Sequence, residues 1–205
     1  KRSGLPTICS THSTCRFLPV PTQSSKWTLS NLLLIYWRFY RMRRWIRKAR
    51  KGKDYAKTVL KARLRGISPA LIPAQPPENP EDFPVFILAG QSNMAGQARL
   101  AVSDMRPLER VLLWNEKVGW VKAREPMHRA HLQAEGVGPG RFFAEILARE
   151  WPDKTIGLLA CAEGGSPLQA WVTDEPYKGV KLHSRLLTYA RQATKAGHIK
   201  GVLWH

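Results

Sequence analysis

Val85-Phe86-Ile87-Leu88-Ala89-Gly90-Gln91-Ser92-Asn93-Met94-Ala95-Gly96 is the stretch on which the reading of this chain turns. Its first five residues are apolar without alternation, so both faces of the strand they form are buried, as in a parallel sheet covered by helices. The run stops at Gly90, and a serine among polar residues and glycines follows at once. A hydroxyl at a strand-to-helix turn is exposed for attack, and the N–H groups of a helix start can stabilise a developing oxyanion. The same position also suits a serine that only caps the next helix. On position alone the two readings stand level.

Outward from this stretch the texture is that of an α/β domain with a parallel sheet. Val111-Leu112-Leu113-Trp114 reads as a second strand, with Trp120-Val121 adding a short hairpin arm. Gly138-Pro139-Gly140 opens a helix from Arg141 to about Glu150, in which Phe142, Phe143, Ile146 and Leu147 are expected to share a face by their spacing. Ile156 to Cys161 is a third strand, a helix runs from about Val180 to Lys195, and Ile199 to Trp204 is a fourth strand. No internal repeat is visible.

The formal charge of +18 on 205 residues looks like that of a nucleic-acid binder until its distribution is examined. Residues 1–80 hold 17 Lys and Arg against Asp54 and Glu78, a net of +15, whereas residues 81–205 carry a net of only +3. The basic character therefore belongs to the first segment. Residues 1–25, rich in Ser, Thr and Pro, are expected to be disordered. From Leu29 to about Arg65, aromatic and aliphatic residues alternate with Arg and Lys, which predicts one or two basic amphipathic helices. Such a segment can contact an anionic membrane or another polyanion, or be a solvated extension. Pro69 to Pro84 reads as a linker, since repeated prolines deny the backbone a regular ladder. The organisation expected is a basic N-terminal extension over residues 1–83 and an α/β domain over residues 84–205.

The apolar run Leu32 to Trp37 is far short of the roughly 20 residues that span a bilayer. It leaves an extracytoplasmic or membrane-associated setting open without establishing either. Cys9, Cys15 and Cys161 form no CxxC pair and have no histidine at ligand spacing, so neither a zinc site nor a disulfide framework is expected. Cys161, at the end of an apolar run, reads as a buried free thiol.

Ligand sites in open parallel sheets lie beyond the carboxyl ends of the strands. Besides the Ser92 turn, the loop Glu163-Gly164-Gly165-Ser166-Pro167 is notable there, because glycines let the backbone come close to a ligand. Read in order, Phe86 to Gly96, Gly136-Val137-Gly138-Pro139-Gly140-Arg141-Phe142-Phe143-Ala144, Cys161 to Ser166 with Trp171, and Gly201-Val202-Leu203-Trp204-His205 resemble the sialate O-acetylesterase and acetylxylan esterase family of the SGNH hydrolases. The resemblance covers about residues 84–205. It implies a three-layer, flavodoxin-like α/β/α sandwich that removes O-acetyl groups from carbohydrates through an acyl-serine intermediate, without metal or cofactor. It makes Ser92 the nucleophile, with its own N–H and that of Gly165 or, alternatively, Gly164 in the oxyanion hole. Gln91, Asn93, Glu163 and His128 become candidate contacts for an acetylated sugar.

The sequence departs from the family in one respect. Relatives continue past the strand ending Trp204-His205 into a Gln-Gly-Glu motif, and an Asp-x-x-His pair near their C-terminus supplies the acid and the base. None of these occurs in this sequence. The domain is accordingly expected to be truncated and the 205-residue chain inactive or nearly so. Among the histidines present, His128 and His131 read either as surface residues or as substrate contacts, and His183 and His198 as structural. The competing reading is a basic binding module over residues 29–65 that carries an inactive α/β domain. Because no metal-ligand spacing exists, EDTA is expected to leave any acetylesterase activity unchanged; loss that added metal restores would overturn this.

Overall fold

The computed structural model describes residues 52–128 and 136–205. Five strands form one sheet: β1 (Pro84–Ala89), β2 (Val111–Asn115), β3 (Gly119–Lys122), β4 (Ile156–Ala160) and β5 (His198–Trp204), in the spatial order β3-β2-β4-β1-β5. β1 pairs in parallel with β4 on one side and β5 on the other, and β2 pairs in parallel with β4. The sheet is mixed rather than parallel throughout, because the hairpin arm β3 returns antiparallel to β2 through the tight connection Glu116–Val118. A connection that short can only reverse the chain.

All six residues of β1 are buried, as the continuous apolar run requires of a central strand. Alternate side chains feed two cores. Phe86 and Leu88 pack with Ala144 and Ala148 of α3 (Pro139–Glu150). Val85, Ile87 and Ala89 pack with Ala170 and Trp171 of α4 (Leu168–Val172) and with Leu182 and Ala193 of α5 (Leu182–Ala193).

The face of α3 differs from the one its large residues suggested. Gly140, Ala144 and Ala148 are buried with Phe143 and Leu147 packed beside them, whereas Phe142 is 60% and Ile146 50% exposed. Small residues face the sheet because the helix lies against it: a Cβ on Gly140 would come within 2.4 Å of Leu88 Cδ1. Phe142 and Ile146 sit on the other side of the helix turn, where bulk meets no backbone.

The Pro-rich stretch does more than span a gap. Lys122 N–H donates to the Ile72 carbonyl and Ala74 N–H to that of Trp120, with Pro73 bridging Val121, so residues 72–74 lengthen the sheet at β3. An edge tolerates proline because the missing donor faces away from the ladder. Helix α1, described over residues 52–64, buries Ala62 against Leu100, Met105 and Val137 while Lys53, Lys57 and Lys61 remain exposed. The remainder of the basic segment, and the stretch expected to be disordered, lie outside the described residues. No described helix is long and apolar enough to cross a membrane.

Arg110 ties α3 to the sheet. Its guanidinium donates to the carbonyls of Ala148, Trp151, Pro152 and Lys154, satisfying groups that a helix end leaves without partners. Arg110→Ala is expected to destabilise the domain by about 1–3 kcal/mol, read from the urea midpoint. An unchanged midpoint would show the cluster to be idle.

Candidate active site

Ser92 is the first residue of α2 (Ser92–Ala95), a short helix that starts directly beyond the carboxyl end of β1. Gln91 occupies the cap position and makes no side-chain cap bond, so Ser92 does not cap the helix with its hydroxyl. As the first helical residue it has an N–H without an intrahelical acceptor, which leaves a donor beside its own Oγ. The side chain is partly exposed, and Gln91 and Asn93 on either side are exposed.

The turn depends on Gly90. Its φ of +114° is a backbone conformation that side chains oppose, and a Cβ there would fall 2.1 Å from the His205 carbonyl oxygen. Gly90's carbonyl accepts from Glu163 N–H at 3.0 Å, and Gln91 N–H donates to His205 O at 2.8 Å. The ends of β1 and β5 and the start of the glycine loop are thereby laced together.

That lacing brings Gly164 next to Ser92: a Cβ built on Gly164 would lie 4.0 Å from Ser92 Cβ, its nearest heavy-atom neighbour. Gly165, at φ +77°, follows; its carbonyl accepts from Tyr177 Oη at 2.7 Å. Lys178 Nζ donates to the Gly164 carbonyl and to Glu163 Oε1. Lys178 on the Gly164 carbonyl fixes the peptide that carries the Gly165 N–H, and Ser166 N–H, donating to the Glu163 carbonyl at 3.2 Å, fixes the one that carries the Gly164 N–H. Trp171 Nε1 donates to Ser166 Oγ at 3.0 Å, and its ring meets Trp204 edge-on at 5.1 Å, joining the loop to β5.

The other candidate contacts lie deeper. Glu163 is 3% exposed, with Lys178 Nζ at 3.1 Å and Arg185 Nη1 at 3.8 Å. His128 is 4% exposed rather than a surface histidine; its Nε2 has no hydrogen-bond partner. Burial lowers its pKa to about 4 against the pull of the Leu88 carbonyl, and nearby Arg185 adds to the fall. His131 lies outside the described residues. His183 and His205 are exposed, and His198 pairs with Glu81 at 2.9 Å. Among the described residues, no imidazole is hydrogen-bonded to Ser92. Cys161 is fully buried and burial pushes its thiol up to about 12, so it behaves as a small hydrophobe. No group of three metal-ligating side chains occurs among the described residues.

Four supporting residues were not assigned from the sequence: Glu125, Tyr177, Lys178 and Arg185. Lys178-Gly179 signals only a turn. Glu125 is buried and accepts from Met127 N–H at 2.8 Å and from Gly138 N–H at 3.4 Å. Gly138 in turn packs on α2, where its Cβ would stand 2.5 Å from Met94 O. Glu125 therefore braces the helix that carries Ser92, through Gly138.

With this geometry the chain's relationships can be stated. The structure thus sets the Ser92 turn beside the Gly164-Gly165 loop at the carboxyl end of β1 on an α/β sheet. The family described as carbohydrate esterase, sialic acid-specific acetylesterase, matches residues 82–205, and the chain belongs to that family. A probable carbohydrate esterase of Arabidopsis thaliana is 31% identical over 140 residues, covering 59% of this chain and 52% of that protein. The crystal structure from the same Arabidopsis locus superposes with a TM-score of 0.51 at 30% identity, over 61% of this chain and 57% of that one. The chain spans about half the length of these relatives.

Burial raises the Glu125 carboxyl to about 7 from an ordinary 4.5. The folded state thus holds a proton that the unfolded chain releases, so this group's contribution is complete below pH 4.5 and is lost as pH rises through 7. Compared with Glu125→Gln, which does not titrate, the wild type should lose stability between pH 5 and pH 8. Urea midpoints of both proteins at those pH values test this; a difference independent of pH would refute it.

Proposed function

We propose that this domain carries the nucleophile of a carbohydrate O-acetylesterase. Ser92 Oγ attacks the acetyl carbonyl, and the N–H groups of Ser92 and of Gly164 or Gly165 receive the oxyanion. The sugar leaves as an alcohol, and water then hydrolyses the acyl-serine. The observation that carries this reading is the approach of Gly164 to Ser92 at the carboxyl end of β1. Membership in a carbohydrate esterase family supports the substrate class. Gln91 and Asn93, exposed beside the nucleophile, are the side chains in position to meet the sugar. Glu163, buried and paired with Lys178 and Arg185, holds the glycine loop.

Among the described residues, no imidazole is set to deprotonate Ser92. No described histidine is bonded to Ser92, and a serine hydroxyl without a base is a weak nucleophile. The 205-residue chain should therefore turn over aryl acetate no faster than its Ser92→Ala variant. Supplied at the full length of its relatives, the protein should be active and should lose at least about a thousandfold on Ser92→Ala. Near wild-type turnover in that variant would sink the nucleophile assignment. Ser92-dependent turnover by the 205-residue chain would instead show that one of its own histidines serves as the base.

A further inference from the structure

The packing of α1 onto the domain decides which of its side chains point outward. Ala62 is 0% exposed, with Tyr55 and Val59 beside it on Leu100, Met105 and Val137. Leu60 and Leu64 stand two residues to either side of Ala62. Two residues make rather more than half a helical turn, so both leucines are carried to the opposite side of the helix. They are accordingly 59% and 80% exposed. Lys53, Lys57, Leu60 and Leu64 follow one another at steps of four, three and four residues, the repeat that keeps side chains on one face. The outward face of α1 is therefore a stripe, basic in its first half and apolar in its second.

A helix face that only meets water has no use for this arrangement. A single exposed leucine needs no explanation, but these two continue a line of lysines, and exposed Lys61, Arg63 and Arg65 flank it. Residues 52–65 hold five cations against one carboxylate, Asp54, which is half-buried. Among the described residues, none of the five forms an ion pair. The face thus presents positive charge and apolar surface together, on an element anchored to the α/β domain.

That combination decides between the two partners that carry dense negative charge. Nucleic-acid phosphates would draw the lysines, but a charged backbone offers the leucines no apolar counterpart. An anionic lipid surface meets both halves of the stripe. Its headgroups attract lysines, and the boundary between headgroups and acyl chains accepts the apolar face of a helix lying in the plane. The stripe runs along the helix axis, so a helix lying flat engages all four side chains at once.

We propose that the face of α1 formed by Lys53, Lys57, Leu60 and Leu64 docks this domain flat on an anionic lipid surface. The inference stands apart from the esterase reading, and its test needs no hydrolysis. In cosedimentation, the 205-residue protein should bind vesicles of phosphatidylcholine with phosphatidylserine about tenfold tighter or more than vesicles of phosphatidylcholine alone. Leu60→Gln/Leu64→Gln should weaken binding to the mixed vesicles about tenfold. Phe142→Gln/Ile146→Gln, which alters an exposed apolar pair on α3, should leave it unchanged. Lys53→Gln/Lys57→Gln should remove most of the preference for phosphatidylserine, whereas Lys117→Gln/Lys122→Gln, in the β2–β3 hairpin, should keep it. Urea midpoints matching the wild type show that the α1 variants are folded; a lowered midpoint in the leucine variant leaves the decision to the lysine pair. Failure to bind the mixed vesicles, wild-type binding by the folded leucine variant, or equal losses in the α1 and control pairs would overturn the proposal. A double-stranded oligonucleotide that binds tighter than the vesicles, through the same lysines and without regard to the leucines, would overturn the choice of partner.

Discussion

The contact between the main chain of Gly90 and the His205 carbonyl is the constraint on which this structure turns. A sheet strand normally keeps its neighbours about 4.8 Å away, and here a carbonyl oxygen occupies the place where any other residue would carry its Cβ. Only glycine permits that approach, and only at a positive φ can it then aim the next residues out of the sheet. The Gly90 carbonyl also receives the Glu163 N–H, so one residue sets the spacing of β1, β5 and the glycine loop together. Ser92 is placed by backbone geometry before any side chain contributes.

A second layer keeps this backbone rigid, and it is made of charge. Lys178 and Arg185 converge on Glu163, while Tyr177 and Lys178 reach around to the carbonyls of the two glycines. A buried carboxylate with two cations costs desolvation on every member, and removing one partner would leave the others uncompensated. Such a cluster is weak evidence for stability, but through the Gly164 carbonyl it fixes the plane of the peptide that carries the Gly165 N–H. Glu125 performs the neutral counterpart on the other side, where its carboxyl bridges Met127 and Gly138 and so steadies α2. Catalytic groups gain from such support because small errors in donor placement weaken electrostatic stabilisation.

The sheet order explains why Ser92 stands where it does. β1 lies between β4 and β5, with β2 and β3 beyond β4; the connection after β1 runs to β2 on one side, and that after β4 runs to β5 on the other. The crevice formed where connections diverge is where open α/β sheets bind ligands. Arg185 faces Glu163, the residue that precedes Gly164 and Gly165.

Much of this was legible in the sequence because it rests on local rules. The apolar run Val85 to Ala89 could only be a strand buried on both faces, and the serine after Gly90 could only sit at its carboxyl end. The strands expected near Val111, Ile156 and Ile199, the hairpin arm at Trp120, and the buried thiol of Cys161 likewise followed from periodicity and composition. The inward face of α3 did not, because periodicity finds bulky residues, whereas contact with Leu88 selected Gly140, Ala144 and Ala148. Nor could sequence show that Pro73 would extend β3, that His128 would be buried, or that Tyr177, Lys178 and Arg185 would gather round Glu163. Those facts belong to the tertiary structure, since each depends on which distant segment arrives at the same place, and no local preference of the chain encodes that meeting.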